Sequence, residues 1–289
     1  MHHRLTVRKG GSLSTVKVLG SQLEYRWIGP RPGERPTIVF LHEGLGCVGT
    51  WRDFPDRLAS VTGCGALVYS RPGYGSSDPV QGTRPVAFMH DEALEVLPAV
   101  LERFRLEEVI LFGHSDGASI AVIYAGASSG NYSRNLSGGP CGPPSPLAPV
   151  RGLVLEAPHV FVEAICTEKI ARIAEEYETT RLRERLARYH GANTDSMFRT
   201  WTEVWLKPEF ARWNIEESLP AIQSPVLVVQ GEDDEYGTPA QVEAVLRQVK
   251  GPAESLVLPR CGHSPHTTHA DEVLEAGSRF IREALRVGP

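Results

Sequence analysis

The chain has 289 residues, 41% hydrophobic and 22% charged, enough apolar material for one large α/β core or a core with a substantial insertion. Its formal net charge of -5 argues against attraction to phosphate backbones, so nucleic acid is not an expected partner. No eighteen apolar residues run together, and Met1-His2-His3-Arg4-Leu5-Thr6-Val7-Arg8 lacks the apolar stretch of a signal peptide; a cytoplasmic protein with no membrane partner is expected.

Ser14 to Leu19 and Gln22 to Ile28 are β-prone and separated by Gly20-Ser21, which predicts a hairpin. Thr37 to Leu41 is a continuous apolar run without alternation, as in a strand buried on both faces. Ala66 to Tyr69, Val109 to Phe112, Leu153 to Leu155 and Val226 to Val229 have the same character, and Ser255 to Leu258 is a weaker case. Helical spacing separates them: Leu94, Leu97, Leu101 and Phe104 share one face within Ala87 to Leu106. Val242, Val245, Leu246 and Val249 repeat the pattern, as do Val273, Leu274, Phe280, Ile281 and Leu285. Strand and helix in alternation predict a mostly parallel, doubly wound α/β sheet, with ligands at the carboxyl ends of its strands.

Two stretches interrupt this order. Residues 161–217 lack a convincing strand and read as an inserted helical cap between core segments 1–160 and 218–289. Residues 127–149 are dense in Gly, Pro, Ser and Asn and are expected to form an irregular insertion loop far from the chemistry. The five cysteines, Cys47, Cys64, Cys141, Cys166 and Cys261, are scattered and show no CxxC pair, so free thiols are expected and no zinc site.

The sharpest chemical feature is Gly113-His114-Ser115-Asp116-Gly117, lying between the buried run Val109 to Phe112 and a helical stretch. In that setting Gly-x-Ser-x-Gly is a nucleophile elbow, a tight turn that needs glycine on both sides and projects the hydroxyl of Ser115. A serine needs a base, and His263 follows the last strand; His266 and His269 are its rivals. The orienting acid is expected after Val226 to Gln230, where Glu232, Asp233, Asp234 and Glu235 stand together, with Glu156 as a substitute. The chemistry alone leaves that choice open. Backbone N–H groups of Asp116 and of Gly44, in His42-Glu43-Gly44-Leu45-Gly46, are expected to form the oxyanion hole.

With His42 to Gly46, Arg71-Pro72-Gly73-Tyr74-Gly75-Ser76-Ser77, the elbow, Gly231-Glu232-Asp233-Asp234 and Gly262-His263, the chain resembles the α/β-hydrolase superfamily, in its cofactor-free esterase, lactonase and aminopeptidase-like branch. The resemblance covers nearly the whole chain. It implies Asp234 as the acid, His263 as the base, a helical lid after the sixth strand, and no metal or organic cofactor. Glu43 stands where many relatives have glycine. The Ser-Asp-Gly elbow is similar to that of valacyclovir-hydrolase-like enzymes, which implies that Asp116, with Glu43, favours a substrate carrying an amino group; a helix N-terminal role is the plainer alternative.

The expected activity is hydrolysis of a small-molecule ester, lactone or amide through a Ser-His-Asp triad. Carbon–carbon bond hydrolysis or acyl transfer at the same triad is one rival, and a non-catalytic ligand-binding protein is another. Trp201, Trp205 and His159, with Phe198, Tyr177 and Tyr189, are candidates for the pocket wall. Neither the substrate nor the oligomeric state is legible.

Overall fold

The computed structural model describes residues 13–129 and 147–286. The strands are β1 (Ser14–Val18), β2 (Ser21–Ile28), β3 (Thr37–Leu41), β4 (Gly65–Tyr69), β5 (Val109–His114), β6 (Val150–Glu156), β7 (Val226–Gly231) and β8 (Ala253–Leu258). They form one sheet in the order β1-β2-β4-β3-β5-β6-β7-β8. β1 and β2 are a hairpin, β2 lies antiparallel on β4, and β3 to β8 run parallel. This is the mostly parallel, doubly wound α/β sheet that the alternation predicts. Every residue of β3, β4, β5 and β7 is buried, which is why their sequences carry no polar alternation. β8 closes one edge and alternates exposed and half-buried positions, which accounts for its weaker apolar run.

The helices are α1 (Phe54–Thr62), α2 (Phe88–Asp91), α3 (Leu97–Arg103), α4 (Asp116–Ser128), α5 (Ala164–Thr179), α6 (Leu182–His190), α7 (Thr194–Trp205), α8 (Pro239–Gln248), α9 (Pro265–Thr268) and α10 (Ala270–Arg286). One helix is expected over Ala87 to Leu106; instead α2 and α3 are joined by a π-turn, Glu92–Val96. Pro98 explains the difference. It has no N–H to donate, and its ring would strike the Leu94 carbonyl in a regular helix, so the turn ahead of it widens.

Strand pleating sends alternate residues to two apolar layers. Ile38 and Phe40 of β3 join α1 and α10, through Leu58, Phe280 and Ile281. Val39 and Leu41 join α3, α4 and α8, through Leu97, Ile120 and Val245. α4 is buried from Asp116 to Gly126, so it has no polar face. Between β6 and β7 the chain forms α5, α6 and α7 and returns through short 3-10 turns at Phe210–Arg212 and Glu216–Ala221.

α4 continues through Ser128 into the stretch expected to be irregular, and most of that stretch, with Cys141, lies outside the described residues. The other four cysteines are free and buried. Among the described residues no helix is long and apolar enough to cross a membrane.

Candidate active site

β5 ends at His114 and α4 begins at Asp116, so the chain reverses at Ser115, whose φ of 53° and ψ of -119° are strained for a residue with a Cβ. The glycines permit the turn. A Cβ on Gly113 would overlap the Gly117 carbonyl oxygen, and one on Gly117 would overlap that of Leu41 in β3. Ser115 donates its N–H to the Glu156 carbonyl at 2.9 Å, and its own carbonyl accepts from Ala118 at 2.8 Å. The strained residue is thus held between β6 and the first turn of α4.

Ser115 Oγ lies 2.9 Å from His263 Nε2. Across the ring, Nδ1 lies 2.8 and 2.9 Å from the two oxygens of Asp234. An ionised carboxylate only accepts, so the imidazole proton sits on Nδ1 and Nε2 is left to accept the serine proton. Asp234 also accepts from the Tyr236 N–H at 2.8 Å and from Gln230 Nε2 at 2.6 Å. Burial pushes its carboxyl upward, but the charge and hydrogen bond of His263 and the Tyr236 N–H outweigh it and hold the group below the usual range.

Of the four clustered acids, Asp234 alone faces this imidazole. Glu232 and Asp233 are exposed, and Glu235 accepts the backbone N–H of His263 at 3.3 Å. The rival histidines point elsewhere. His266 donates Nδ1–H to Glu156 at 2.7 Å, which also removes Glu156 as a partner for His263, and His269 lies against Thr268.

The loop after β3 is set by His42. Its Nδ1–H donates to the Glu43 carbonyl at 2.7 Å, so its Nε2 accepts the Arg71 N–H at 3.1 Å. Arg71 reaches back to the Glu43 carbonyl at 3.1 Å and to that of His42. A Cβ on Gly44 would overlap the indole of Trp201, so this loop and α7 approach as closely as glycine allows. Asp116 opens α4, so its N–H has no intrahelical acceptor and lies at the positive end of the helix dipole.

Ser115 and His263 face a cavity of about 380 Å³ that Gly44 and Asp116 also line. α5 contributes Cys166 and Ile170, and α7 contributes Trp201 and Trp205. The other expected wall residues lie elsewhere. Phe198 and Tyr177 stack on each other at 3.7 Å within a separate apolar cluster, and Tyr189 is exposed. The Phe198–Tyr177 stack joins α7 to α5. His159 does line the cavity, with its ring 5.6 Å from that of His263 and 5.5 Å from Trp205. Burial, aided by His263, pushes it down to about 3, so it is neutral.

The two acids linked to an amino-group preference differ. Glu43 lies 3.6 Å from His114 Nδ1, with its carboxylate packed where a Cβ on Gly46 would go. Against burial, the hydrogen bond and charge of His114 hold it far below the usual carboxylate range, so its charge is already matched. Asp116 is 1% exposed, and its Oδ2 has no hydrogen-bond partner. Burial raises it more than Arg71 and Arg84 lower it.

Sequence reasoning missed Tyr236, whose ring lies 4.4 Å from that of His263. Its signal was available: it is the one aromatic in the acidic turn, two residues after Asp234. It also missed Cys166 and Ile170, spaced i and i+4 on α5.

A doubly wound sheet carrying a serine at a strained strand-to-helix turn is the mark of one structural class. The sequence model of the alpha/beta hydrolase family matches residues 38–276, and the chain belongs to that family. Over 106 residues it is 30% identical to the proline iminopeptidase of Lactobacillus helveticus (strain DPC 4571), a match spanning 37% of this chain but only 35% of that relative. Over 286 residues it is 24% identical to human serine hydrolase BPHL, covering 94% of this chain and 88% of the relative. The solved enol-lactonase of Burkholderia xenovorans LB400 shares the fold with a TM-score of 0.67 at 18% identity, covering 93% of this chain and 99% of that one.

Proposed function

We propose that this chain is a serine hydrolase that cleaves a carboxylic ester, lactone or amide of a small molecule through an acyl-enzyme. The hydrogen-bonded line from Ser115 through His263 to Asp234 carries this reading. Ser115 Oγ attacks the carbonyl carbon as its proton passes to His263 Nε2. The carbonyl electron pair moves onto oxygen, where the N–H groups of Gly44 and Asp116 receive it. Collapse breaks the bond to the leaving group, which takes the proton from His263. Water then repeats the sequence: His263 removes its proton, hydroxide attacks the acyl carbon, and Ser115 departs reprotonated with release of the acid. Asp234 keeps the Nδ1 tautomer and balances the imidazolium. Helices α5 to α7 serve as a cap, with Cys166, Ile170, Trp201 and Trp205 covering the acyl group. In p-nitrophenyl acetate hydrolysis, Ser115→Ala is expected to fall to the buffer rate; a variant keeping a tenth of wild-type kcat contradicts the assignment.

The buried Asp116 carboxylate, whose Oδ2 accepts no hydrogen bond of normal geometry although the Trp205 indole acts on it, favours a second, narrower reading: an aminoacyl substrate whose ammonium group pairs with that carboxylate. Similarity to proteins named proline iminopeptidase agrees with it. Glu43 takes no part, because His114 already holds it. Paired esters with and without an α-amino group test the idea: kcat/KM should favour the amino ester at least tenfold, and Asp116→Asn should erase that ratio. Equal values in the wild type end it.

A further inference from the structure

Behind the imidazole of His263 lies a second group of ionisable side chains that the steps above do not use. His114 ends β5 and Glu156 ends β6, opposite each other in register, so both side chains leave the same face of the sheet. The His114 ring donates Nε2–H to the carbonyl oxygen of His263 at 2.7 Å, while its Nδ1 faces Glu43 Oε2 at 3.6 Å. Glu156 accepts from both the backbone N–H of His266, at 3.0 Å, and its ring Nδ1–H, at 2.7 Å. Trp51 lies 4.6 Å from the His266 ring and 6.2 Å from that of His114. The last two residues of two neighbouring strands therefore grip one loop at two points, residue 263 and residue 266.

We propose that His114 is a positioning residue for His263: its Nε2–H holds the backbone of the base, so that the residue directly before the nucleophile sets the distance between nucleophile and base. This rests on the reading of Ser115, His263 and Asp234 as the acyl-transfer set. Apart from His114, the backbone of residue 263 is held by the 3.3 Å contact to Glu235, an exposed side chain. Burial works against a charge on His114, but Glu156 and Glu43 outweigh it and push the imidazole up to about 9. The bond to the carbonyl is therefore charge-assisted at neutral pH, and the buried Glu156 and half-buried Glu43 carboxylates gain a counter-charge. A displacement of about 1 Å in a reacting group costs on the order of 100-fold in rate. The loss of this clamp should thus appear in kcat.

His114→Gln and His114→Asn separate the clamp from a general packing role. A glutamine amide reaches the place of Nε2 and can still donate to the residue 263 carbonyl; an asparagine amide reaches only the Nδ1 side, toward Glu43. With p-nitrophenyl acetate, Asn should lose ten- to a hundredfold in kcat with KM within about twofold, while Gln stays within about fivefold of wild type. Equal losses in the two variants, an unimpaired Asn variant, or a change in KM alone overturns the proposal. A measurement on the wild-type protein covers the case in which neither variant folds. Side-chain ¹⁵N histidine spectra should show one imidazole, faced by Glu43, Glu156, His266 and the His263 carbonyl, protonated on Nε2 at neutral pH and slow to exchange that proton. Absence of that signal overturns the clamp. A wild type that fails to hydrolyse the ester, or a Ser115→Ala variant that succeeds, counts instead against the hydrolase reading.

Discussion

Asp234→Asn isolates the most specific electrostatic requirement of the site. The two oxygens of Asp234 meet three donors: His263 Nδ1–H at 2.8 and 2.9 Å, the Tyr236 N–H at 2.8 Å and Gln230 Nε2 at 2.6 Å. An asparagine has one acceptor oxygen and one donor nitrogen. The Tyr236 N–H belongs to the backbone and cannot turn away, so it claims the amide oxygen. The amide nitrogen then faces Gln230 and stands 2.9 Å from His263 Nδ1, where two N–H groups oppose each other. Gln230 can flip to present its Oε1, which at present has no partner. His263 can accept at Nδ1 only by moving its proton to Nε2, where that proton opposes the Ser115 hydroxyl and the base is lost. The expected cost is that of the wrong tautomer, about 10⁴-fold in kcat, or about 5 kcal/mol of transition-state stabilisation. KM for p-nitrophenyl acetate should move by no more than a few-fold, and circular dichroism should be unchanged. A loss of less than tenfold refutes the tautomer argument, because the imidazole would then keep its Nδ1 proton without a carboxylate.

Gly117→Ala places a methyl group against the Leu41 carbonyl, which is strand backbone and cannot move aside; a urea melt should show a loss above about 3 kcal/mol, and a near-native midpoint contradicts the close approach. Stability should also fall on both sides of about pH 6.5, the ordinary histidine value, as thermal melts across pH will show. His159, lowered to about 3, is neutral when folded, so the unfolded chain binds the extra proton and stability drops as pH falls from 6.5 towards 3; lowered His42 and His190 act in the same direction. His114, raised to about 9, holds a proton that the unfolded chain releases, so its contribution is complete below 6.5 and is lost as pH rises through 9. Each slope is at most about 1.4 kcal/mol per pH unit per proton. His159→Leu should flatten the acid limb and His114→Gln the alkaline one; limbs that do not respond contradict the assignment of charge.

The parallel strands were legible because a strand buried on both faces needs an unbroken apolar run, as in Thr37 to Leu41 and Val226 to Val229. The serine and the histidine could be named because Ser115 follows a buried strand in a Gly-x-Ser-x-Gly turn and His263 follows Gly262 in the loop after the last strand. The choice among Glu232, Asp233, Asp234 and Glu235 came from family likeness alone. The structure brings Asp234 to His263 because the turn buries that one carboxylate and leaves the others exposed. Cap aromatics were harder. Helical period says which residues share a face of α7, but whether that face meets the cavity or another helix depends on docking, which separates Trp201 and Trp205 from Phe198. The Glu156–His266 pair joins residues far apart in the chain and leaves no local trace, so His266 and Glu156 could be weighed only as rivals to the groups they support.

Labelling with a fluorophosphonate, followed by peptide mass spectrometry, reports directly on whether Ser115 is the activated nucleophile. A single phosphonyl adduct on Ser115 is expected in the wild type, formed on the order of a thousandfold more slowly or not at all in His263→Ala. An adduct on another serine, or equal labelling without the imidazole, would show that this hydroxyl is not activated by residue 263.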